Sequence, residues 1–165
     1  HDFGPNNADS TFRHRAVSLA AFRSQWNNPP APPGLEDGVA YTTVVDGVQL
    51  LMTDNRSYRI NPGAPESRLF GDTQLAWLEA ELARPRGRVV VLGSGNQLLS
   101  SEPSGLESLA QYPREQARLL AAIERSPVPV SIVSGDRHYA EVLEATFGGK
   151  RILETTSSPL GAHMR

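Results

Sequence analysis

VPVSIVSGDRHYAEV, residues 128–142, is the stretch on which the fold turns. VPVSIV is apolar and rich in β-branched residues, the composition of a buried strand. Gly135, Asp136, Arg137 and His138 follow at once, a polar group on a turn, in a chain with only four histidines. Tyr139 to Ala145 then reads as a helix, and Arg151–Thr155 as a last strand.

Upstream, REQARLLAAIERS is amphipathic at helical spacing, and Pro127 and Pro129 carry the chain from it into the strand. RVVVLGSGNQLLSS before it is a short strand over 88–92 and a Gly/Ser/Asn turn. TQLAWLEAELARP is a helix with Leu75, Leu78 and Leu82 on one face, Asp72 or Thr73 as its cap, and Pro85 as its stop. Residues 55–70 and 101–112 are irregular. VAYTTVV (39–45) and VQLLMTD (48–54) are two strands joined by Asp46-Gly47, a strong two-residue hairpin signal. Residues 1–12 read as a loop. Arg15–Trp26 has helical spacing, stopped by Asn27-Asn28-Pro29-Pro30, and a proline-rich link follows. A hairpin followed by strand–helix alternation predicts an α/β fold, a mixed β-sheet with helices flanking its faces.

The composition bounds what such a domain does. At 165 residues it suits one domain with a sizeable core. A net charge of −2 leaves no basic footprint for nucleic acid and no polybasic membrane patch. No stretch approaches the ~18 apolar residues of a membrane span. Cysteine is absent, so disulfides and thiolate ligands are excluded.

In sheets of this kind, polar groups that bind ligands gather just past the carboxyl ends of the strands. Four places qualify: Asp54-Asn55-Arg56, Gly93–Gln97, Ser134–His138 and Thr155–Ser158. Asp136 and His138, two apart on a turn, can aim at one point, and carboxylate with imidazole suits a divalent or trivalent metal. Asn96 adds a neutral oxygen, while Arg56 and Arg137 can neutralise an anion such as phosphate. That combination fits hydrolysis of a phosphate ester. Against it stands the plain reading of each part. Asp-x-His after a strand is often a local ion pair or cap, Asp54 and Arg56 can be a strand-end ion pair, and Asn96 and Ser157-Ser158-Pro159 can be turn residues.

Six blocks in order resemble one family. HDFGPNN at 1–7 is similar to the tail of a Trp-Asp-Asp-His-Asp/Glu…Asn-Asn signature, and LLMTDNRSYR to a strand ending in Leu-Asp-x-Arg-x-x-Arg. GDTQLAWLEAEL resembles a Gly-x-x-Gln-x-x-Trp-Leu helix, GSGNQLLS a Gly-Asn-Gln strand end, SGDRHYAEV a Ser-Gly-Asp-x-His block, and ETTSSPLGA a Ser-Ser-Pro-Leu turn. The family is that of alkaline phosphatase D (PhoD-like) enzymes, within the calcineurin-like metallophosphoesterases. The resemblance implies that residues 1–165 are the C-terminal portion of such a phosphatase domain. The N-terminal half of its two-sheet sandwich would then be absent.

What the resemblance implies for single residues follows its motifs. His1 takes the role of the histidine that protonates the leaving group or steadies the phosphate. Asn6, with Asn7 as second choice, becomes a metal ligand, and Asp136 and His138 the late ligand pair. Aspartate there replaces the first histidine of the superfamily's Gly-His-x-His, which favours calcium, magnesium, manganese or iron over zinc. Asn96 stands where many relatives have a metal-binding histidine. Arg56 and Arg137 are the candidates for gripping a phosphate-ester substrate. A periplasmic or secreted location is implied in the same way. The rival from another class is a non-catalytic domain that keeps the fold and binds a ligand or partner; a nuclease fits poorly without a basic groove.

Overall fold

A computed structural model describes residues 3–101 and 108–157. The chain runs α1 (Arg15–Gln25), β1 (Tyr41–Val45), β2 (Val48–Met52), α2 (Gly71–Ala83), β3 (Val89–Gly93), a 3-10 turn at Leu109–Gln111, α3 (Pro113–Arg125), β4 (Val130–Ser134), β5 (Glu141–Phe147) and β6 (Lys150–Thr156).

All six strands form one sheet in the order β1-β2-β3-β4-β6-β5. β2, β3, β4 and β6 are mutually parallel, and the two edge strands are antiparallel to their neighbours. The β1–β2 hairpin turns on Asp46 and Gly47, both at positive φ (50° and 82°), as the sequence predicts for an Asp-Gly pair.

The helix expected at Tyr139–Ala145 is absent. That segment lies mostly in β5, which pairs with β6 from Glu141↔Thr156 to Phe147↔Lys150. Ala, Glu and Leu suit a helix, but propensity yields here to tertiary pairing. The residues alternate half-buried and exposed from Glu141 to Phe147. Gly148 and Gly149, at φ 53° and 80°, make the two-residue turn that closes this second hairpin.

The α2 and α3 helices pack against each other and supply the core on one side of the sheet. Leu75, Leu78 and Leu82 of α2 meet Leu119, Ala122 and Ile123 of α3, and both sets join Leu51, Val90, Leu92, Ile132 and Ile152 of the strands. Arg118 of α3 bridges to Asp72 (2.7 Å) and Glu79 (3.1 Å) of α2. Neither Asp72 nor Thr73 caps α2. The orphan amides before and at its start, Leu69, Phe70 and Gly71, donate to the carboxylate of Glu115 at 2.7–3.0 Å. A cap from another helix does the work a local cap does elsewhere. Pro113 opens α3, where a missing N–H costs nothing.

The helices do not flank both faces. Val48, Leu50, Met52, Val89, Val91 and Leu153 project from the other face and are half-buried, while Val133 and Val142 are 47% and 66% exposed. Parallel strands ordinarily bury both faces, so this apolar surface is out of the ordinary for such a sheet. α1 has no buried residue of its own. No helix among the described residues is long and apolar enough to cross a membrane.

Candidate functional site

Because four strands are parallel, their carboxyl ends lie along one rim, and the four polar tips of the sequence fall there together. Main-chain bonds tie each tip to the next. Thr53 N donates to Gly93 O (3.0 Å), Ser94 N to Val133 O (2.9 Å), and Ser157 N to Ser134 O (3.0 Å). These bonds extend the ladder one residue past each strand, so the tips are an ordered edge.

At the β2 tip, Asp54 is buried and its carboxylate accepts from the N–H groups of Val39 (2.9 Å), Arg56 (2.8 Å) and Ser57 (2.8 Å). Gln74 of α2 clamps the same residue, accepting from Asp54 N (2.7 Å) and donating to Asp54 O (2.8 Å). The Asp54 side chain therefore folds the loop through backbone amides. Gly38 sits against it and against Tyr58, whose phenol is pushed up by burial and then by the charge of Asp54. The guanidinium of Arg56 donates to Ala8 O at 3.3 Å.

The loop that holds Asn6 is seated beside this tip. Ser10 N donates to Arg59 O (2.9 Å), Asn61 Nδ2 to Asn7 O (2.9 Å), and Asn61 N to Asp9 Oδ2 (3.3 Å). Asn6 itself is exposed. The guanidinium of Arg56 thus reaches the loop that carries Asn6. His1 lies outside the described residues, as do Ser158 and Pro159 of the closing turn.

At the β3 tip Asn96 is buried, its N–H donating to Ser94 Oγ (3.2 Å) and its carbonyl accepting from the same hydroxyl (2.7 Å). Ser94 Oγ also accepts from Asn55 Nδ2 (3.0 Å), which joins the β2 and β3 tips. Glu154 of β6, buried completely, accepts from Leu98 N and Leu99 N at 2.7–3.1 Å and holds the chain beyond Asn96 in place.

The β4 tip carries the sharpest geometry. Arg137 N donates to Gly135 O (2.9 Å), closing a three-residue turn around Asp136 at φ 71°, a rare and strained form. His138 follows at φ 59°. Asp and His tolerate the left-handed region better than most residues, yet two in one turn mark a conformation held by its surroundings. Exposure alternates: Asp136 and His138 stand outward, Arg137 and Tyr139 lie half-buried. Arg137 Nη2 donates to Tyr139 Oη (2.7 Å) with the guanidinium 5.3 Å from that ring's centroid. Its Nε and Nη1 are buried with no hydrogen-bond partner. A guanidinium with two unspent donors suits an oxyanion.

The fit to a metal is incomplete. Among the described residues no group of three or more His, Asp or Glu side chains comes together in a way that could hold an ion. A hard cation takes six to eight oxygen ligands, and Asp136 with His138 supplies two groups. These residues alone do not make its site.

Sequence reasoning missed Glu115, Glu154 and Glu141. The signal for Glu154 is parity, since it shares the inward face of β6 with buried Ile152 and Thr156. A charge on the buried face of a strand asks for partners.

No protein-family model and no curated protein matches the sequence. A solved structure of PhoD matches in fold, with a TM-score of 0.76 over 96% of this chain at 18% sequence identity. The chain spans 38% of that chain's length. The likeness is one of fold, and it agrees with the resemblance carried by the six motifs.

Proposed function

We propose that residues 1–165 are the C-terminal portion of a metal-dependent phosphoric-ester hydrolase of the alkaline phosphatase D type. The observation that carries this reading is the Ser134–His138 turn. Its strained backbone stands Asp136 and His138 outward at the rim of a sheet with the fold of PhoD. Arg137, with two donors unspent, lies between them in sequence and suits the phosphate of a monoester or diester.

Calcium, magnesium, manganese or iron belongs to the proposal through the motif resemblance. Asp136, His138, Asn6 and Asn96 are the residues of this chain offered to it, with further ligands from outside residues 1–165. His1 is offered as proton donor to the leaving alcohol, a role an imidazole near its pKa performs well. The open apolar face of the sheet is where a second sheet of the same domain would pack. A periplasmic or secreted location rests on the motifs alone.

The test is hydrolysis of p-nitrophenyl phosphate and its bis-ester by the full-length chain. Asp136→Ala and His138→Ala should each lower turnover by about a hundredfold or more. Wild-type rates in both would end the reading. Residues 1–165 by themselves should turn over little or nothing. The second reading is a non-catalytic domain that keeps the fold and binds a ligand or partner, and the unspent donors of Arg137 favour an anion as that ligand. Phosphate binding by a full-length chain that hydrolyses neither ester would select it.

A further inference from the structure

Arg137 and Tyr139, the inward residues of the β4 turn, lead into a chain of side-chain bonds that crosses the rim. Tyr139 Oη donates to Glu141 Oε2 (3.4 Å). The same carboxylate oxygen accepts from Gln97 Nε2 at 2.7 Å, a charge-assisted bond. Gln97 Nε2 also donates to Thr156 Oγ1 (2.9 Å), which lies 2.9 Å from Ser134 Oγ. Tips belonging to β3, β4, β5 and β6 are thus joined through one carboxylate. Gln97 is fully buried, and its Oε1 has no partner. Its amide is oriented by Glu141 and Thr156.

We propose that Glu141 is the positioning residue of the Ser134–His138 turn. By anchoring Tyr139, and through it Arg137, it keeps those two side chains inward and so forces Asp136 and His138 outward in left-handed conformations. Local sequence does not compel this shape, since an Asp-Arg-His segment has ordinary conformations open to it. The bond to Gln97 fixes Glu141 against the β3 tip, so the turn is referenced to the rigid sheet. The inference rests on the reading that this turn carries the site. It adds a residue that touches neither substrate nor ion.

NMR of the 165-residue chain tests it. A positive φ gives a strong intraresidue NOE between the amide and α protons, expected at Asp136 and His138 in the parent. In Glu141→Ala both NOEs should weaken, and the Arg137 amide that closes the turn should exchange about tenfold faster. Glu141→Gln keeps both the bulk and an acceptor and should restore both signals, whereas Glu141→Met keeps the bulk alone and should not, which separates the hydrogen bond from packing. Tyr139→Phe removes one link on a turn that keeps its ring, and should show the same change to a smaller degree. Unchanged NOEs at Asp136 and His138 in Glu141→Ala would overturn the proposal. Were that variant to lose protection at Val90 and Ile132 as well, the Tyr139→Phe spectrum decides in the same two ways. Failure of the hydrolase reading shows separately, as wild-type ester turnover in full-length Asp136→Ala, whatever the NOEs do.

Discussion

Replacing Glu154 with alanine should unlatch the segment beyond the β3 tip, and the structure sets the size of the effect. Glu154 is fully buried and accepts from Leu98 N with both oxygens, 2.9 and 3.1 Å, and from Leu99 N at 2.7 Å. Alanine leaves two backbone donors without partners, each costing about 1–3 kcal/mol when shielded from water. Relief from burying a carboxylate offsets part of that, so a net loss of about 3 kcal/mol is expected. With a urea slope of about 2 kcal/mol per molar, the midpoint of unfolding should fall by about 1.5 M. Glu154→Gln retains one carbonyl oxygen and should lose about half as much. The assay is urea unfolding followed by circular dichroism, with amide exchange at Leu98 and Leu99 as the local readout. Midpoints within about 0.3 M of the parent in both variants would refute the reasoning. The amides would then be satisfied some other way.

Other outcomes follow from single observations. A Cβ on Gly38 would lie 2.6 Å from Asp54 Oδ2 and 2.8 Å from Tyr58 Oη, so Gly38→Ala should cost about 1–3 kcal/mol by urea unfolding. Burial raises the Asp9 carboxyl, but hydrogen bonds from the Thr11 hydroxyl and from the Thr11 and Asn61 amides outweigh it and hold the group below its ordinary value. A lowered folded pKa stabilises above the unfolded value and is lost as pH falls through the folded one. Amide exchange at Thr11 and Asn61 should therefore accelerate below about pH 4, and Asp9→Asn should abolish that dependence. Val133 and Val142 stand exposed on the uncovered sheet face. Residues 1–165 alone should self-associate, and Val133→Lys with Val142→Lys should reduce this in sedimentation while stability changes by no more than about 0.5 kcal/mol.

By itself the sequence determined the elements whose signals are local: the Asp46-Gly47 hairpin, the leucine face of α2, the strand before Gly135, and the four polar tips. Parallel pairing then made those tips one rim. The β5 strand escaped because its residues favour a helix in isolation, although Gly148-Gly149 between two runs already signalled a hairpin. What tertiary structure alone decided was mostly the work of inward-facing carboxylates, Asp54, Glu115 and Glu154 buried and Glu141 half-buried. Glu115 caps a helix it does not belong to, Asp54 folds a loop through amides, and Glu141 and Glu154 reach from β5 and β6 to the β3 segment. Apart from the Arg56 and Ser57 amides on Asp54 and the Tyr139 hydroxyl on Glu141, their partners are backbone N–H groups and side chains many residues away, and backbone groups carry no residue identity to read. Motif order along the chain says nothing about which strand lies between two tips, and only the strand order of the sheet does.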